Sequence, residues 1–126
     1  MLANVRLGAN IPVRNVAAAR AFYERVLGVT PVRIQDAEIL YRSGGTLFAI
    51  YETEAAGKAG HTLATFSGVQ DLDTVVAALR RSGVTFENYD LPGLRTVGGI
   101  AQLGPDRVAW FRDPDGNLLA MDDARL

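Results

Sequence analysis

The chain has 126 residues, 48% apolar and 21% charged, enough for one globular domain with its own core. Its formal net charge is -1 and its arginines are scattered, with only Arg80 and Arg81 adjacent, so no basic stripe points to nucleic acid or an anionic membrane. It has no cysteine, which excludes disulfides, thiolate nucleophiles and thiolate-bound zinc and fits a reducing cytoplasm.

The opening run MLANVRLGANIPV has neither the unbroken apolar stretch of a signal peptide nor a cleavage site, and no stretch nears the roughly 20 apolar residues that span a bilayer. A cytoplasmic protein is expected. Val5 to Val13 reads as a strand, rich in β-branched residues. Asn15 caps a helix in which Val16, Ala19, Phe22, Tyr23, Val26 and Leu27 share one face, and Gly28 ends it. Val29 to Gln35, Glu38 to Arg42 and Thr46 to Glu52 read as strands, the last two joined by the Ser43-Gly44-Gly45 turn. Thr53 to Gly60 reads as a linker.

The pattern then restarts. His61 to Val69 reads as a strand, Asp71 or Asp73 caps a second helix with Leu72, Val75, Val76 and Leu79 on its apolar face, and Arg80 and Arg81 fall in the last turn, favourable for the helix dipole. Gly83 ends it. Val84 to Tyr89 reads as a strand. Asp90 to Pro105, with four glycines and two prolines, reads as a long loop, either a lid or a segment pinned by Tyr89 and Leu91. Val108 to Arg112 and Asn117 to Met121 form a closing hairpin around Asp113-Pro114-Asp115-Gly116.

The halves superpose: Val13 on Val69, Asn15 on Asp71 and Val16 on Leu72. Such self-similarity marks a duplicated unit. The expected fold is α+β, a single domain over 1–126 built from two tandem βαβββ modules, about 4–53 and 61–124. Their sheets are expected to form a cup-shaped mixed sheet with a ligand cavity.

Ile11-Pro12-Val13-Arg14-Asn15, with Ala21-Phe22-Tyr23 and Val26-Leu27-Gly28, resembles the opening module of the vicinal oxygen chelate superfamily, which holds glyoxalase I, extradiol dioxygenases and the fosfomycin and bleomycin resistance proteins. Phe111-Arg112-Asp113-Pro114-Asp115-Gly116-Asn117-Leu118-Leu119 is similar to its final hairpin. The resemblance implies four metal-ligand positions. They fall on Gly8, seven residues before Asn15; on Ala64, five before Val69; on Ala120, seven after Asp113; and at about Ala49. None of these side chains can coordinate a metal, and a catalytic metal needs about three protein ligands. No metal and no cofactor are expected. The resemblance also implies a homodimer.

Strand alternation places Asn10 and Pro12 on the face of Gly8, Thr62 and Phe66 on that of Ala64, and Leu47 and Tyr51 on that of Ala49. Trp110 and Arg112 share a face of the penultimate strand. The resemblance puts Trp110 on the cavity wall; packing beneath a helix is the other reading. Arg112 either meets an anionic ligand group or lies exposed beside the turn. The expected ligand contacts are thus Asn10, Tyr51, Thr62, Phe66, Trp110 and Arg112. His61, the single histidine, is the candidate acid-base group, or else an ordinary residue at a strand entrance.

This lining suits a planar or hydrophobic small molecule. The leading expectation is a metal-free binding protein of the glyoxalase/bleomycin resistance type, with no nucleic-acid or membrane partner. The alternative is an enzyme of the same family (lyase, isomerase or dioxygenase) using non-standard ligands or acid-base residues. A third is a structural or regulatory dimer with a vestigial cavity.

Overall fold

The computed structural model describes residues 1–125; Leu126, the last residue of the expected domain, lies outside the described residues. The chain forms two compact units, Met1–Ala56 and Gly57–Leu126.

In the first unit, β1 (Asn10–Val13), β2 (Thr30–Ile34), β3 (Glu38–Ser43) and β4 (Thr46–Glu52) form one sheet in the order β1-β4-β3-β2, with β1 parallel to β4 and the other pairs antiparallel. Asn15 caps α1 (Val16–Arg20), its Oδ1 accepting the Ala18 N–H at 2.8 Å. The helix then widens to a π-helical segment, Ala21–Val26, closed by Leu27 N–H donating to the Phe22 carbonyl at 2.9 Å. Gly28 follows with φ +76, the left-handed stop.

The helix covers one sheet face. Ile11, Val13, Ile39, Tyr41, Phe48 and Ile50 are buried there with Val16, Ala19 and Tyr23. Tyr23 stacks on Tyr41 with centroids 6.0 Å apart. The expected strand Val5–Val13 is shorter, because β4 pairs only as far back as Asn10 opposite Ala49 and residues 1–8 are exposed.

In the second unit, β5 (Ala64–Phe66), β6 (Asp90–Leu91), β7 (Leu94–Val97), β8 (Ile100–Leu103), β9 (Asp106–Arg112) and β10 (Leu118–Asp122) form a sheet in the order β5-β10-β9-β8-β7-β6. Asp71, with φ +52, caps α2 (Leu72–Arg81) through Oδ1 to Thr74 N–H, while Asp73 pairs instead with Arg107. Leu72, Val76 and Leu79 of α2 are buried, as are Phe86, Ala109, Phe111, Leu119 and Met121. The rings of Phe86 and Phe111 lie 5.8 Å apart.

Three expectations fail here. The strand His61–Val69 shrinks to β5. Leu63 N–H donates to the Leu118 carbonyl and Val69 N–H to the Asp122 carbonyl, so the two strands advance unequally between these bonds. The extra residues are taken up near Gly68, whose φ is +81. The strand Val84–Tyr89 survives as one bridge, Phe86 to Phe111. The segment Asp90–Pro105 is not a loop, since it carries β6, β7 and β8.

The last two corrections have one cause. Glu87 N–H donates to the Trp110 carbonyl, whereas the next residue of β9 toward its start, Ala109, faces Ile100. One strand position beside β9 is therefore filled by two pieces of chain, and residues 88–99 are inserted between them as a hairpin. The final turn closes as expected. Gly116 N–H donates to the Asp113 carbonyl, and buried Asn117 donates through Nδ2 to Asp113 Oδ2 at 2.8 Å and accepts from Gly57 N–H at 3.1 Å.

Candidate functional site

The sheet face of the second unit opposite α2 follows from the register. Trp110 pairs with Ala120, Val108 with Asp122 and Arg112 with Leu118, so these side chains form one row while Ala109, Phe111, Leu119 and Met121 point to the core. Trp110 is half-buried, and its ring meets Tyr89 edge-on, centroids 5.4 Å apart at 89°. It does not pack beneath the helix.

Arg112 is exposed, but its donors are engaged. Its Nε pairs with the Glu87 carboxylate, and Nη1 donates to the Gly116 carbonyl at 2.9 Å. The ion pair balances its charge, which weakens the reading of Arg112 as an anion contact.

The β5 residues are regrouped. Ala64 is in register with Leu119, Thr65 with Ala120 and Phe66 with Met121. Phe66, half-buried, thus belongs with the core-facing row, and Thr65, exposed, stands beside Ala120 in the Trp110 row. The expected grouping of Thr62 and Phe66 with a ligand face counted alternation back from the helix, and the irregularity at Gly68 shifts that count. Thr62 is half-buried ahead of β5. His61 is exposed, with Nδ1 2.9 Å from the Thr62 carbonyl oxygen.

In the first unit, Asn10 is in register with Ala49 and Pro12 with Tyr51, and the row faces away from α1. Asn10 is exposed and Tyr51 is 36% exposed, whereas Ala49 is buried at 5%.

A family model of the glyoxalase/bleomycin resistance protein/dioxygenase superfamily matches residues 6–121. The chain belongs to this superfamily. Among solved structures it is similar to UcmS2 (20% identity, TM-score 0.74, covering 96% of this chain and 99% of that one). It is similar to the bleomycin resistance determinant encoded on the transposon Tn5 (20%, TM-score 0.70, 98% and 100%). The glyoxalase/bleomycin resistance protein of Catenulispora acidiphila shares 26% identity, with TM-score 0.63 and coverage of 97% and 100%. At such identities the likeness speaks for the fold. No curated protein sequence matches significantly.

The positions at which the superfamily resemblance implies metal ligands are not filled by residues that fit a metal. Gly8, Ala49 and Ala120 offer no donor side chain. On β5 the expected position Ala64 lies in the core-facing row, and Thr65 beside Ala120 offers only a neutral hydroxyl. A Cβ at Gly8 would sit 3.1 Å from the Leu47 carbonyl oxygen, so a longer side chain there is crowded. Among the described residues no three His, Cys, Asp or Glu side chains gather into a metal-holding group. No helix among them is long and apolar enough to cross a membrane.

Proposed function

We propose that this superfamily member is a metal-free small-molecule binding protein that holds a planar or hydrophobic ligand against the Trp110 row. One observation carries the reading: a half-buried indole projects from the sheet face opposite α2, in register with Ala120, a small residue that is itself buried. The balanced Arg112–Glu87 pair beside the indole favours stacking over anion capture. Asn10 and Tyr51, on the exposed row of the first unit's own sheet, are proposed separately as ligand contacts, and a homodimer is proposed as the assembly. For the enzyme reading, the one histidine, His61, is exposed ahead of β5 with Nδ1 2.9 Å from the Thr62 carbonyl oxygen.

Stacking on an aromatic ring contributes about 0.5–1.5 kcal/mol beyond area burial, and the lost apolar contact adds about 25 cal/mol per Å². Trp110→Ala is therefore expected to weaken binding of aromatic antibiotics or natural products at least about tenfold, read from the fluorescence anisotropy of the ligand. Chemical unfolding of the variant is followed in parallel. A folded Trp110→Ala protein that binds such ligands as tightly as the parent would refute the proposal.

A further inference from the structure

The inserted hairpin of residues 88–99 ends up with an aromatic ring against Trp110, and its fixation is more elaborate than a connecting loop needs. Thr96 grips Tyr89 from both sides: Thr96 Oγ1 accepts the Tyr89 N–H at 2.8 Å, and Thr96 N–H donates to the Tyr89 carbonyl at 2.9 Å. Arg80, from the last turn of α2, donates through Nη2 to the Gly98 carbonyl at 2.8 Å while its guanidinium lies 5.4 Å from the Phe86 ring centroid. The buried Gly99, with φ +80, lets the chain pass under that arginine. The backbone of Tyr89 is thus tied at the hairpin neck, and its half-buried ring is set at 89° to the indole.

Two rings at a right angle form a corner. A flat molecule stacked on one ring turns its edge to the other, a favourable face-to-edge contact, and can extend no further in that direction. We propose that Tyr89, delivered by the inserted hairpin, is a specificity-determining second wall of the Trp110 site, selecting small planar aromatic ligands over extended ones. This rests on the proposed binding role of Trp110 and adds to it a size limit and the segment that imposes it.

The test uses two neutral fluorescent probes, 2-naphthol with two fused rings and 1-hydroxypyrene with four, titrated by anisotropy against the full chain. Tyr89→Leu keeps apolar bulk on the hairpin but removes the ring. It is expected to weaken 2-naphthol about fivefold while sparing or tightening 1-hydroxypyrene, shifting the ratio of the two affinities by at least about fivefold. Tyr89→Phe retains the ring and should hold the ratio within about twofold. An unchanged ratio in Tyr89→Leu, with Trp110→Leu still abolishing binding of both probes, overturns the second wall and leaves the Trp110 site standing. Binding that survives Trp110→Leu, or a parent protein that raises the anisotropy of neither probe, overturns the site and the wall together.

Discussion

Tyr41 is fully buried, yet its hydroxyl donates to Glu24 Oε2 at 2.8 Å, and the same carboxylate takes Arg20 Nε at 2.6 Å and Nη2 at 3.0 Å. Burial, then the carboxylate, pushes the Tyr41 phenol well above its ordinary range, and the Arg20 hydrogen bond holds the Glu24 carboxyl below its own. Tyr41→Phe is expected to cost about 1–2 kcal/mol at neutral pH, since hydrogen bonds to charged groups are the stronger ones. A carboxyl with a lowered folded pKa stabilises above its unfolded value of about 4.3 and loses that contribution as pH falls through the folded one. The cost of Tyr41→Phe should therefore shrink below about pH 4, as urea unfolding at several pH values would report. At this scale the sequence was a partial guide. The row holding Trp110 and Arg112 follows from simple alternation. The partner of Arg112 does not, because Glu87 lies on a different strand piece and no local pattern joins the two.

At the scale of elements, the duplicated strand-helix starts were legible because each announces itself by a capping side chain and a stopping glycine, Asn15 with Gly28 and Asp71 with Gly83. The inserted hairpin was not, because its strands are short and its glycines resemble those of a loop. Gly93 and Gly98-Gly99 are its turns, at φ +77, +60 and +80. Two of them differ in surroundings. A Cβ at Gly93 would meet nothing within 4 Å, whereas one at Gly99 would lie 2.7 Å from Arg80 Nη2 and 3.1 Å from Phe86 Cβ. Gly93→Ala should thus cost only the left-handed strain, about 1 kcal/mol, and Gly99→Ala about 2–3 kcal/mol because crowding adds to it. Equal losses for the two in thermal unfolding would show that Arg80 and Phe86 do not fix the hairpin.

For the molecule as a whole, the position counted back from Val69 to Ala64 falls in the core-facing row with Leu119, whereas the superfamily fold was readable from the opening and closing motifs and their spacing. The contacts on β5 were not, because the irregularity near Gly68 slips the face of every residue counted through it. The central claim is that this fold works here as a binder without a metal, and native mass spectrometry of the purified protein tests it most directly. The account predicts a species of twice the chain mass with no metal increment, gaining one 2-naphthol per chain on titration. A stoichiometric zinc, iron, nickel or manganese ion on each chain would contradict it.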